Sequence, residues 1–394
     1  MESLYVKTKQ LGLDPAKIAA SSVKELYSLP EEDLSEYKFY LIKDAFKYHF
    51  ENNKYYHEVC VTKGISPNGI KNFEDLIKIP IVPINLYKSN ESYKLLTVDL
   101  KDIELEMRST GTSGIPSVSR RCSDTIDSAV HGVYAMYREF FKISKGAGLY
   151  LCPSTEEIPE MGMIKALNML AGLLDTHHFM VKGEQFVPEE AVAQINQWQN
   201  KFTRHIIGPP FLINRFIRYL KAMDIKLKLD RGSYIITLGG WKRFTGEMLS
   251  REDFNQECIE YLGVKEYQIR DMYALVESNA LAIDDEFSEK HVSPFVHFSV
   301  RNPKQLDTEV AVGDMGQLAI LDPLARSTPG FILTEDLVRL IPGRSKSGRS
   351  GQRMQYIMRL PESQEFGCCA VNLDKRLDDI ETGKVLDESC PVVN

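Results

Sequence analysis

The chain has 394 residues, enough to bury a large core as one large α/β domain with an appendage or as two or three domains. Its composition, 43% hydrophobic and 26% charged, is ordinary for a soluble globular protein. A formal charge of −7, with no basic run interleaved with aromatics, argues against a nucleic-acid partner held by phosphate neutralisation and leaves a small molecule or a protein as the expected partner.

No stretch approaches the roughly 20 apolar residues of a membrane-spanning helix, and the opening MESLYVKTKQ has no apolar core of the kind a secretory signal carries. A cytoplasmic location without a membrane span is therefore expected. The seven cysteines (Cys60, Cys122, Cys152, Cys258, Cys368, Cys369 and Cys390) are odd in number and scattered, which fits reduced thiols better than a disulfide framework.

In chain order, residues 35–60 (EYKFYLIKDAFKYHFENNKYYHEVCV) mix apolar and charged positions at helical spacing, predicting one long amphipathic helix with its ring-rich face on the core. FEDLIKIPIVPINLY then predicts a short helix and proline-broken extended chain. STGTSG, from Ser109 to Gly114, contains nothing able to pack a core. Its glycines let backbone N–H groups converge and its hydroxyls are neutral donors, which suits an anion such as phosphate; a surface turn is the alternative. From about residue 147 the runs AGLYLCP, HHFMV, RHIIGPP and SYIITLGG predict buried strands, with helices over 188–201 and 210–223 between them. That alternation predicts an α/β fold with ligand loops at the carboxyl ends of strands. GQLAILDP and PGFILTEDLVRLIP predict later strands, and GRSKSGRSGQR a linker before a small terminal piece. GRSKSGRS approaches the G-x-x-x-x-G-K-[ST] pattern but has arginine in place of lysine. No G-x-S-x-G elbow occurs, and the histidines show no metal-ligand spacing.

STGTSGIPS, LGGWK (238–242), DMYALVESN (271–279), GDMGQLAIL (313–321), LTEDL (333–337) and GRSGQR (348–353), in that order, resemble the core motifs of the adenylate-forming superfamily of acyl- and aryl-CoA ligases. The longer stretches IGPPFLINRFI, REDFNQ, DDEFSEKHVSPFV and STPGFILTEDL are similar to the acyl-protein synthetase family of bacterial bioluminescence, over most of the chain. The resemblance implies an α/β, acyl-CoA synthetase-like large domain over 1–342 and a hinge with a short C-terminal subdomain over 343–394. It also implies that Ser109, Thr110, Gly111, Thr112, Ser113 and Gly114 hold the ATP phosphates. Gly239 and Gly240 would lie against adenine, with Trp241 and Lys242 in the same nucleotide site, and Tyr273 would stack on the base. Glu277 would hold Mg2+, since a hard cation bridging phosphates needs carboxylate oxygen. Asp336 would accept from the ribose hydroxyls, and Arg349 would sit at the hinge. Two positions depart from the family pattern: Ser117 stands where a lysine is usual, and Val276 where a threonine is common. Lys242 is the candidate for the missing charge.

The implied activity converts a long-chain fatty acid and ATP to acyl-AMP and pyrophosphate, then moves the acyl group to a cysteine of the protein itself for delivery to an acyl reductase, with an acyl transferase as a further partner. The family's Gly-Cys-Ala motif reads FGCCAVNLDK here, so Cys369, followed by Ala370, is the expected acceptor and Cys368 the second candidate. A thiol suits the role because its thiolate is a strong nucleophile and its thioester remains reactive. Two other readings stay open. An acyl- or aryl-CoA ligase would use Lys384 in ETGKVL, and a degenerate nucleotide-binding member without catalysis would account for Ser117 and Val276.

Overall fold

In the computed structural model, which describes residues 4–109, 116–183, 185–239 and 249–360, the single helix expected over 35–60 is two. Helices α1 (Leu4–Gln10), α2 (Pro15–Ser21) and α3 (Val23–Tyr27) lead into α4 (Glu31–Asn52) and α5 (Lys54–Thr62), broken at Asn53. Asn53 is extended (φ −113°, ψ 109°); its side-chain oxygen accepts from Tyr56 N at 2.7 Å and its amide donates to the carbonyls of Leu96 (3.0 Å) and Lys94 (3.3 Å). A capping side chain that also satisfies two loop carbonyls outweighs one more helical turn. The ring-rich face does pack on the core: Phe46 and Tyr56 meet Phe331 at centroid separations of 6.2 and 6.1 Å. Each such buried ring contributes roughly 1.5–3 kcal/mol.

The chain falls into two units, one of the described residues of 4–144 and 270–360, the other of those of 145–269. In the first, the two-residue strand β1 (Val82–Pro83) is followed by a 3-10 turn, Ile84–Lys88. Strands β2 (Ile103–Arg108) and β3 (Val118–Cys122) form an antiparallel hairpin, and α6 (Ser123–Phe141) follows.

The second unit carries β4 (Ala147–Tyr150), α7 (Gly162–Met169), β5 (Thr176–Phe179), the small ribbon β6 (Val181–Lys182) and β7 (Gln185–Phe186), α8 (Pro188–Trp198), β8 (Arg204–Gly208), α9 (Pro210–Ala222), β9 (Ile235–Leu238) and α10 (Arg251–Leu262). Its main strands run parallel in the order β5-β4-β8-β9. Every residue of β4, β8 and β9 is buried, which is why these segments read as continuous apolar runs. Proline opens α8 and α9 at the one turn where its missing N–H costs nothing.

The first unit resumes with β10 (Ile269–Ala274), β11 (Leu281–Asp284), β12 (Lys290–Val292), β13 (His297–Asn302), β14 (Gln305–Glu309), β15 (Met315–Leu321), β16 (Phe331–Leu340) and β17 (Arg353–Arg359). These pair in the order β14-β13-β15-β16-β17-β12-β11-β10. One side of β16 is taken along its length by β15. The other side is divided: β1 pairs in parallel at Ile332 and Leu333, and β17 takes over antiparallel from Asp336. Glu335 and Asp336 therefore sit where one neighbour hands over to the next.

The glycine- and serine-rich segment expected as a linker joins β16 to β17 within this sheet. Ser350 N donates to Tyr27 O (2.9 Å), and Gly351 N to Glu31 Oε1 (2.9 Å). Composition does not separate the two outcomes, because tight loops and free linkers both want glycine and serine. Residues after 360 lie outside the described ones. No helix among the described residues is long and apolar enough to cross a membrane.

Candidate functional site

Ser109 and Ser117 are the two feet of the loop expected to bind phosphate. Ser109 N donates to Ser117 O (3.0 Å), and Ser117 N donates to Ser109 Oγ (2.8 Å). The hairpin β2–β3 ends on this doubly hydrogen-bonded pair, so the chain from Thr110 onward leaves and returns at a fixed point. Thr110, Gly111, Thr112, Ser113 and Gly114 themselves lie outside the described residues.

Ser117 is almost wholly buried, its hydroxyl has no hydrogen-bond partner among the described residues, and it lies near enough to the Glu277 carboxylate to lower its pKa. Glu277 is buried in the turn after β10, and it has no ion-pair partner among the described residues. Burial pushes its carboxyl above the usual range; Ser117 and the positive charges of Arg359 and Lys88 pull in the other direction. Arg121, on β3, fixes the turn around it. Its guanidinium donates to the carbonyls on either side of Glu277, Val276 O (2.9 Å) and Ser278 O (3.2 Å), and to the side chain of Asn279. Asp322, the residue that follows β15, secures the same turn, accepting from Asn279 N (2.7 Å) and Ser278 Oγ (3.0 Å). Gly330 is required there, since a Cβ on it would collide with the Asp322 carbonyl oxygen. The outcome is a buried carboxylate held from both flanks by its backbone. Beside it a cavity of about 10 Å3, lined in part by Arg121, Asn279 and Thr328, has room for about one water-sized group. Among the described residues Glu277 is the one carboxylate lining this space, so it is the residue that would hold Mg2+, a hard cation that takes oxygen ligands.

Tyr273, on β10, donates to Asp336 Oδ2 at 2.7 Å, which brings two of the expected nucleotide residues together. The ring lies between Tyr356 (6.1 Å between centroids) and Phe298 (6.4 Å). Asp336 is buried and its carboxyl is raised by burial, with Arg359 and the Tyr273 hydroxyl opposing. Next to it, Glu335 receives two cations: Lys88 Nζ from the turn after β1, at 3.2 Å, and Arg359 Nη2 from the end of β17, at 3.2 Å. The handover on β16 explains this convergence, because both partners enter on the same side of the strand.

Other expected residues are placed elsewhere. Arg349 sits in the β16–β17 loop, bound to Glu139 (2.8 Å) and Glu286 (3.5 Å) and stacked on Phe140. Gly239, in the second unit, ends β9 with φ +92°, a conformation that glycine adopts without strain. Val276 contributes its carbonyl to Arg121, a role that leaves its side chain unconstrained. Gly240, Trp241, Lys242, Lys384, Cys368 and Cys369 lie outside the described residues. The four described cysteines, Cys60, Cys122, Cys152 and Cys258, are free and buried, and burial pushes the thiols of Cys60 (up to about 12), Cys152 and Cys258 upward.

Sequence reasoning missed Arg121, Asp322, Lys88 and Glu335. Only Glu335 carried a signal, as the neighbour of Asp336 in LTEDL.

A family model described as acyl-protein synthetase, LuxE, matches residues 22–377. A long-chain-fatty-acid–luciferin-component ligase of Aliivibrio fischeri is 29% identical over 367 residues, 89% of this chain and 93% of the relative. A protein of the same description from Vibrio harveyi is 29% identical over 332 residues, 83% of this chain and 85% of the relative. Among solved structures, a 2-hydroxyisobutyryl-CoA ligase in an open conformation, in complex with 2-HIB-AMP and CoA, superposes with a TM-score of 0.64 at 15% identity, covering 85% of this chain and 77% of that one. The same ligase in its thioesterification state gives 0.65 at 15% identity, over 86% and 69%. These superpositions establish the α/β fold of the adenylate-forming ligases.

Proposed function

Because the chain belongs to the LuxE family of acyl-protein synthetases, we propose that it activates a long-chain fatty acid with ATP and transfers the acyl group to its own cysteine, for delivery to an acyl reductase. The observation that carries the reading is Glu277: a buried carboxylate without an ion pair among the described residues, close to the foot of the expected phosphate loop at Ser117.

In the first step a carboxylate oxygen of the fatty acid attacks the α-phosphorus of ATP. The P–O bond to the β-phosphate breaks, giving acyl-AMP and pyrophosphate. Glu277 would hold Mg2+, which supplies positive charge to offset the phosphates. The Ser109–Ser117 pair fixes the loop that would wrap the phosphates, and Asp336, already oriented by Tyr273, would accept from the ribose hydroxyls. In the second step a thiolate attacks the acyl carbon, a C–S bond forms, the bond to AMP breaks, and the thiol proton passes to solvent. The burial of the four described cysteines leaves them poorly suited to that attack, which favours Cys369, with Cys368 beside it, among the residues that follow β17. A soluble cytoplasmic setting suits ATP as the substrate.

Three measurements test this. The protein should exchange pyrophosphate into ATP only when a long-chain fatty acid is present. With labelled fatty acid and ATP it should acquire a hydroxylamine-labile acyl group. Cys369→Ser should lose that label and keep the exchange; loss in Cys368→Ser instead moves the acceptor by one residue. Acyl-CoA released with no protein-bound label would make the chain a CoA ligase.

A further inference from the structure

We propose that Lys88 supplies, at the ATP phosphates, the positive charge that Ser117 does not. The inference rests on the adenylate-forming reading above and specifies how that site handles its charge.

Its position comes from the sheet. Lys88 closes the 3-10 turn after β1, and that turn is anchored to β16 through the β1 pairing at Ile332 and Leu333. The same turn packs against β3, the strand that begins next to Ser117. Lys88 thus belongs to a turn that touches the strand leading from the phosphate loop, and its own ammonium reaches Glu335, next to Asp336. Its charge acts on both carboxylates assigned to the nucleotide, lowering the carboxyls of Glu277 and Asp336 that burial raises.

Its present partner holds it loosely. The distances from Nζ to Glu335, 3.2 and 3.4 Å, exceed the roughly 2.7–2.9 Å of a strong charge-assisted bond. Glu335 also has Arg359 at 3.2 Å, so it stays paired if Lys88 leaves. The Lys88 side chain is 18% exposed, on a flexible four-carbon stem that carries its charge as a point rather than a fork. A polyphosphate offers more negative charge than half a share of one carboxylate.

The other described cations of this region are committed. Arg121 is spent on the Val276 and Ser278 carbonyls, and Arg120 on Glu106 (3.1 Å) and Ser92 (3.1 Å). Arg359 is pinned by its place on β17, between Glu335 and Asp336.

The test is calorimetric titration of the full chain with MgATP and, separately, with AMP, for wild type, Lys88→Gln, Lys88→Arg and Lys242→Ala, each checked for an unchanged circular dichroism spectrum. Lys88→Gln should weaken MgATP binding about 10- to 100-fold, the loss of one charged hydrogen-bonding partner, and leave AMP within about twofold, because AMP lacks the β- and γ-phosphates. Lys88→Arg should recover most of the loss. MgATP affinity unchanged in Lys88→Gln, or ATP and AMP weakened alike, overturns the proposal; loss confined to Lys242→Ala gives the role to Lys242. If wild type shows no fatty-acid-dependent pyrophosphate exchange, the adenylate-forming reading itself fails, independently of Lys88.

Discussion

Arg121 is a positioning residue that acts on the backbone either side of Glu277 and on the side chain of Asn279. One arm of its guanidinium, Nη2, donates to the carbonyls of Val276 and Ser278 while Nη1 donates to Asn279 Oδ1, so the peptide units on both sides of Glu277 and the side chain beyond them are held by one rigid group. Burial lowers its guanidinium to about 10, with Asp322, Glu277 and Tyr87 opposing, so the cation stays charged at neutral pH. Lysine cannot reproduce this, because its single nitrogen cannot reach the two carbonyls and Asn279 Oδ1 from the fixed, planar positions of a guanidinium. If Glu277 holds Mg2+ as proposed, Arg121→Lys should cut fatty-acid-dependent pyrophosphate exchange about 10- to 100-fold, the usual cost of losing a group that orients a metal ligand, and Arg121→Met should cut it at least as far. Exchange at the wild-type rate in a folded Arg121→Lys protein would show that Glu277 finds its place without it. Nothing in VSRRC announces the role, because the acceptors, two of them carbonyls that every residue possesses, lie far along the chain.

Among the elements, β16 organises the first unit. Its apolar start, Phe331 and Ile332, meets the rings of α4 and α5, while its second half carries Glu335 and Asp336 past the change of neighbour from β1 to β17. Strands β4, β8 and β9 of the second unit were legible because full burial on parallel strands leaves uninterrupted apolar runs. α8 and α9 were legible because proline and periodicity mark their starts. The break at Asn53 was not: Asn-Asn-Lys lies within an otherwise continuous helical pattern, and the break is stabilised by Lys94 and Leu96, which no local window contains. Asn53→Ala should therefore lower unfolding stability by about 2–3 kcal/mol, from a lost cap together with two loop carbonyls left short of a donor, as read by urea denaturation. A loss under about 0.5 kcal/mol would mean that water replaces the amide. The site divided along the same line. Glu277, Tyr273 and Asp336 stood in motifs that sequence order alone could assign, whereas Lys88 and Arg359 meet at Glu335 through sheet topology.

For the molecule as a whole, one buried histidine sets a pH dependence. His49 Nε2 lies 2.9 Å from the Ala325 carbonyl and Nδ1 lies 2.8 Å from Thr97 Oγ1. A carbonyl only accepts, so Nε2 carries the proton and Nδ1 accepts from the hydroxyl. Burial lowers its pKa from 6.5 to about 3. Between those values the unfolded chain binds a proton that the folded one does not, so this contribution to stability is present above about 6.5 and is lost as pH falls toward 3. The stability difference between wild type and His49→Gln should shrink by up to about 1.4 kcal/mol per pH unit across that window; parallel curves would show that His49 is charged in the native state. The division of the sheet along β16 also bears on how the chain is made. The described residues of the second unit, 145–269, are one contiguous segment whose contacts can form as it emerges from the ribosome, but Val82 has to wait for Ile332, and Lys88 for Glu335 and Arg359. Pairings of such long range form late. The charge cluster expected to meet ATP is thus among the last parts of the protein to exist, so a chain truncated in synthesis before β17 would lack the assembled cluster.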